Sequence, residues 1–142
     1  MPATKTRFAR IIEEIIELAG LTDKFDTSEQ FYLKVYNDPY MPLTIEAFYN
    51  SALNRRVISV AHYYKQNGDL IPDPDVVITP EGYPISYQDS YGYIEIMFLQ
   101  HGNFYVHTSK KNNTLKFLAT FARNIKEQGF IEAVKSGQFI TK

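Results

Sequence analysis

The stretch "RRVISVAHYYKQNGDLIPDPDVVI", Arg55 to Ile78, decides the fold. Two runs rich in β-branched and aromatic residues flank a single Asn-Gly, the strongest short signal for a two-residue hairpin. With Asn67-Gly68 as the central pair of a type I′ turn, Gln66 faces Asp69 and the register of every later pair follows. Tyr64 meets Ile71, Tyr63 meets Pro72, His62 meets Asp73, Ala61 meets Pro74 and Val60 meets Asp75. Hydrogen-bonded and non-hydrogen-bonded pairs alternate outward from Gln66–Asp69, so Pro72 and Pro74 fall where no bond within the hairpin is lost. Prolines there deny another strand the outer side, which marks a protected edge. Asp73 and Asp75 would then share a sheet face with His62 and Tyr64.

Further strands extend this hairpin in both directions. "QFYLKVYN" and "PLTIEAFY" precede it, and "YPISYQ", "YIEIMFL" and "NFYVHT" follow, separated by the turn-rich "NDPYMP", "PEGY", "DSYG" and "QHGN". Before them Phe8, Ile11, Ile12, Ile15, Ile16 and Ala19 recur at helical spacing up to Gly20, predicting an amphipathic helix over Thr6–Ala19. From Asn113, the residues Leu115, Leu118, Phe121, Ala122 and Ile125 predict a second helix ending near Gly129. A short helical or irregular tail, "FIEAVKSGQFITK", closes the chain. The expected fold is α+β in one domain over residues 1–142. An antiparallel meander of about seven strands would carry an N-terminal and a C-terminal helix packed on one face.

The composition excludes several classes of chemistry. The 142 residues include no cysteine, which removes disulfides, thiolate metal sites and cysteine nucleophiles. No glycine-rich phosphate loop, G-x-S-x-G, H-E-x-x-H or closely paired histidine is present, so no cofactor or metal is expected. The N-terminal segment is charged throughout its apolar part, unlike a signal peptide, and no apolar run approaches a membrane span, so a cytoplasmic protein without membrane contact is expected.

Charge and aromatic residues are unevenly placed. Between Lys65 and Lys110 there is no lysine or arginine, while Asp69, Asp73, Asp75, Glu81, Asp89 and Glu95 fall in that interval. It also holds Tyr83, Tyr87, Tyr91, Tyr93 and Tyr105. Lys110, Lys111, Lys116, Arg123 and Lys126 follow, on and beside the second helix. Acidic charge steers cationic partners, and tyrosine supplies anchoring area. His62, Tyr64, Asp69, Asp73, Asp75, Tyr87, Asp89 and Tyr91 are therefore the candidate binding residues, and a protein is the expected partner. Two other functions fit the residue types. His62, Asp73 and Asp75, with Asp69 or Asp89, could serve a metal-assisted hydrolase or nuclease. The basic helix could bind nucleic acid. As plain structure, a histidine facing an aspartate fixes register and contributes about 0.2–1 kcal/mol.

"ISVAHYYKQNGDLIPDPDVVI", "YPISYQDSYGYIEI" and "ATFARNIKEQ" resemble an uncharacterised bacterial family found in plasmids, conjugative elements and phages. Its members share an HYY-x-QNGDL-x-x-DP-(D/E) block, a P-x-SY-x-x-D block and a helix ending in NI-x-x-Q. The likeness runs from about Phe31 to Gln128 and implies a mobile-element origin, with an accessory role in binding host or element components. The chain departs from the commoner members at "DSYGYIEI", so no role is carried onto Glu95.

Overall fold

The computed structural model describes residues 4–142. Helix α1, Arg7–Leu18, starts where the Thr6 hydroxyl accepts a hydrogen bond from the Ala9 amide at 3.2 Å, and ends before Gly20 at φ +75°. Phe8, Ala9, Ile11, Ile12, Ile15 and Ile16 form its buried face. A short helix α2, Thr22–Thr27, follows; its six residues are too few to show periodicity in the sequence.

Strands β1 (Phe31–Val35), β2 (Leu43–Asn50), β3 (Arg55–Gln66), β4 (Asp69–Ile78), β5 (Pro84–Asp89) and β6 (Gly92–Glu95) then run as an antiparallel meander. A separate hairpin comes next, made of β7 (Met97–Gln100) and β8 (Asn103–Val106). Helices α3 (Thr108–Glu127) and α4 (Phe130–Lys135) follow, and β9 (Phe139–Thr141) returns to pair with β1. The main sheet has seven strands in the order β6-β5-β4-β3-β2-β1-β9, as expected for the meander.

Alternation along the strands divides the two sheet faces. Phe31, Leu33 and Val35 of β1, Leu43, Ile45 and Ala47 of β2, Ile58 and Val60 of β3, and Val76 and Ile78 of β4 form one buried layer. Over it lie α1, α3 through Leu118, Phe121, Ala122 and Ile125, and α4 through Phe130, Ile131 and Val134. All three helices thus cover one face. Each fully buried Ile or Leu contributes about 1.5–3 kcal/mol, which makes this layer the main source of stability. The opposite face is open over β1 to β3. Toward β5 it carries a smaller core of Leu53, Val57 and Ile85, against which Met97 and Leu99 of the β7–β8 hairpin pack.

Three expectations need correction. "YIEIMFL" is two strands: buried Ile96 donates its amide to Ile85 and accepts from the His107 amide, and the chain leaves the sheet there. The second helix begins at Thr108, five residues earlier than Asn113. Its first turns are exposed and polar, so they carry no apolar periodicity. The tail is a helix and a strand; β9 is held by partners more than a hundred residues away, which local sequence does not reveal.

Candidate functional site

The hairpin follows the sequence-derived register at its tip and departs from it halfway down. Asn67 and Gly68 have φ of +53° and +86°, the positive values a type I′ turn requires at both positions. Gln66–Asp69, Lys65–Leu70, Tyr64–Ile71 and Tyr63–Pro72 pair as expected. The register then shifts, and the next pair is Ala61–Asp75. His62 alone stands against Asp73 and Pro74, which is a β-bulge with one extra residue on β4.

One extra residue reverses which face every later side chain takes. Asp75 is therefore aligned with Ala61, on the open face, while His62 lies on the helix-covered face. The expected grouping of His62, Tyr64, Asp73 and Asp75 on one face is corrected by this bulge. The edge assignment is corrected too: β5 pairs with β4 from Asp75 to Ile78, so only Asp69–Pro74, including both prolines, lacks an outer strand.

His62 is 8% exposed, with ring centroids 5.5 Å from Phe121 and 5.7 Å from Phe130. Its Nδ1 lies 3.0 Å from the Pro42 carbonyl oxygen, which can only accept, so Nδ1 carries a proton. Burial pushes the imidazole below its ordinary pKa, while the Pro42 and Met41 backbone and the charge of Asp73 oppose the shift. Asp73 and His62 line one small cavity of about 210 Å³ together with Tyr40, Phe117 and Asn124. This is the setting of a core histidine that ties β3 to the loop before β2.

Asp75 occupies a different environment. The Ser59 hydroxyl donates to its Oδ1 at 2.6 Å and the Tyr63 hydroxyl to its Oδ2 at 3.5 Å. Burial raises the Asp75 pKa above the ordinary carboxylate value, opposed by these two donors. Glu46, paired with Ser59 across β2 and β3, is also raised, first by burial and then by Asp75, with Lys142 acting the other way. Tyr63 is pushed well above the ordinary phenol value by burial and by both carboxylates. None of Glu46, Ser59 and Tyr63 stood out in the sequence. Their shared face is visible only once the register of β2 against β3 is known.

The remaining candidates divide. Tyr87 donates its hydroxyl to Asp89 Oδ2 at 3.0 Å, and its ring packs edge-on against Phe117 at 5.3 Å. Burial and the Asp89 bond raise its pKa to about 12. Asp89 Oδ1 accepts from the Tyr91 and Gly92 amides at 2.8 and 3.2 Å, which closes the β5–β6 turn. Tyr64 is half-buried beside the hairpin end, Asp69 is exposed at the turn, and Tyr91 is 97% exposed. Among the described residues, no three His, Cys, Asp or Glu side chains gather closely enough to hold a metal ion.

The open face is concave. A cavity of about 720 Å³ lies between β2, β4, β5 and β6 and the β7–β8 hairpin. A second, of about 710 Å³, shares Phe48 with it and continues past Glu46 to Tyr32 and Lys142. The ammonium of Lys142 sits 4.4 Å from the centre of the Tyr32 ring.

These features define an α+β protein with an antiparallel sheet, helices on one face and a polar groove on the other. The chain belongs to the family described as Domain of unknown function (DUF6908), whose model matches residues 10–131. Comparison with curated proteins found no match, and comparison with solved structures found none either. No helix among the described residues is long and apolar enough to cross a membrane.

Proposed function

We propose that this chain is a non-catalytic binding protein that docks a protein partner at the acidic, tyrosine-rich end of its sheet. The observation that carries this reading is where the exposed apolar side chains fall. Of the twelve large hydrophobic residues left exposed among the described residues, six lie between Tyr91 and Val106: Tyr91, Tyr93, Ile94, Phe104, Tyr105 and Val106. Exposed apolar groups concentrated in this way mark interaction surfaces. Within the sheet, β6 pairs only with β5, and it lacks the lysine, proline or bulge that usually blocks strand addition. Between Lys65 and Lys110 there is no lysine or arginine, so a partner with basic character is favoured electrostatically. The resemblance of its sequence blocks to a family found in plasmids, conjugative elements and phages suits a small cytoplasmic accessory protein acting on a host or element component.

Capture from lysate by two variants tests the surface. Tyr91→Ser combined with Tyr93→Ser and Phe104→Ser should abolish recovery of the protein that the unmodified chain retains. Lys116→Ala with Arg123→Ala, on the exposed face of α3, should leave it intact. The reverse pattern would assign binding to the basic helix and overturn this reading.

A further inference from the structure

We propose that the cavity between the open sheet face and the β7–β8 hairpin receives an arginine or lysine side chain from the partner protein. This inference rests on the docking surface proposed above and names the chemistry that the surface recognises. The cavity holds about 720 Å³, and its only charged lining residues are Asp75 and Glu95. Phe48, Val77, Met97 and Leu99 supply apolar wall, while Asn50, Gln88 and Gln100 supply amide groups. A long side chain with an apolar stem and a cationic head matches that arrangement: stem against the hydrophobic wall, head at the carboxylates.

Charge complementarity decides the occupant. Asp75 has hydroxyl partners in Ser59 and Tyr63 but forms no salt bridge among the described residues, where Lys5–Glu13 and Arg55–Glu81 are the ion pairs. A half-buried carboxylate with no cation is held at a cost that an incoming cation relieves. Farther along the same face the protein fills such a position itself, with Lys142 over Tyr32 and within electrostatic reach of Glu46. Lys34 and Lys65 line a third cavity, of about 560 Å³, shared with Tyr32, Glu46, Tyr63 and Lys142, whereas the cavity at Asp75 and Glu95 is lined by no lysine or arginine. Tyr93 belongs both to this cavity and to the exposed aromatic patch, which makes the pocket continuous with the docking surface.

The probe is a blocked six-residue peptide, acetylated and amidated, with one arginine in a serine–glycine sequence, titrated into the isotope-labelled full chain and followed by NMR. Saturable shifts are expected at Asp75, Glu95, Met97 and Leu99. Replacing arginine by the neutral isostere citrulline should weaken binding at least tenfold. Asp75→Asn with Glu95→Gln should do the same, and Glu95→Gln alone, at an exposed position that leaves the fold untouched, at least threefold. Glu127→Gln, exposed on α3 over the other sheet face and outside the cavity, should change nothing. Absence of saturable shifts at millimolar peptide, or equal binding by the citrulline peptide or the double variant, overturns the proposal. The two readings fail separately. If the cavity ignores arginine while the Tyr91, Tyr93 and Phe104 variant still loses its partner, only the pocket is wrong. If arginine binds while that variant keeps its partner, only the docking surface is wrong.

Discussion

The Ser59 hydroxyl donates a 2.6 Å hydrogen bond to Asp75 across the β3–β4 ladder, on the sheet face that no helix covers. That bond lowers the Asp75 pKa, yet burial outweighs it and the carboxyl is held above its ordinary value. A raised folded-state pKa means that the group's contribution to stability is fully present below the unfolded pKa and is lost as pH rises through the folded value. The ionised form of Asp75 is therefore disfavoured in the folded chain relative to the unfolded one. Asp75→Asn keeps an oxygen acceptor for Ser59 and should raise the melting temperature at pH 7. The gain should shrink as pH falls through the acidic range. A variant less stable than the parent at pH 7 would contradict this account.

His62 should behave in the opposite sense. Its folded pKa is lowered, chiefly by burial, so the unfolded chain takes up a proton first. Stability linked to His62 is complete above the unfolded value, about 6.5 for a free histidine, and is lost as pH falls from there toward the folded one. Asp73, lining the same cavity, opposes the shift without reversing it. Urea midpoints of the parent and of His62→Phe, measured from pH 7.5 to 5, should converge or cross as the parent weakens. Parallel curves across that range would show that His62 binds its proton equally well in the folded and unfolded chain, which contradicts a lowered folded-state pKa.

How much of this was legible in the sequence depends on how far each feature's causes lie along the chain. The α1 stripe, the Asn67-Gly68 turn and the meander order rest on contacts between near neighbours, and their sequence signals were sufficient. The Asp73-Pro74 bulge was not legible. One unpaired residue leaves the pattern of apolar and polar positions in β4 almost unchanged while reversing the face of Asp75. The groove residues Glu46, Ser59 and Tyr63 come from two strands and meet only through the paired register. Exposure of Tyr93 and Phe104, against burial of the strand aromatic Phe31, depends on whether a helix lies above them. Periodicity in a four-residue strand cannot record that.

Two glycines with positive φ should respond differently to the same substitution. At Gly68, φ +86°, an added β-carbon meets nothing within 4 Å, so Gly68→Ala should cost about 1 kcal/mol through backbone conformation alone. At Gly82, φ +100°, the β-carbon would lie 1.9 Å from the Thr6 hydroxyl oxygen and 2.9 Å from the Ala9 β-carbon. Thr6 caps α1 and its amide donates to the Glu81 carbonyl at 2.9 Å, so the clash displaces the junction between helix and turn. Gly82→Ala should cost more than about 2 kcal/mol, combining strain, overpacking and a damaged cap. Chemical denaturation of the two variants side by side checks the ranking, and equal losses would refute it.

The exposed aromatic patch should contribute little to folding, which is what separates a docking surface from a core. Tyr91 is 97% exposed, so serine there removes almost no buried apolar area, and Tyr93 and Phe104, at 59% and 57%, keep less than half of their surface covered. Surface substitutions of this kind usually change stability by no more than about 0.5 kcal/mol each. Tyr91→Ser with Phe104→Ser should therefore lower the denaturation midpoint only slightly. Phe130→Ser, at a fully buried position between sheet and helices, should unfold the chain or cost more than about 3 kcal/mol. If the Tyr91 and Phe104 variant loses stability on that larger scale, those rings are packed in solution, and the surface assigned to partner binding is instead part of the protein's own structure.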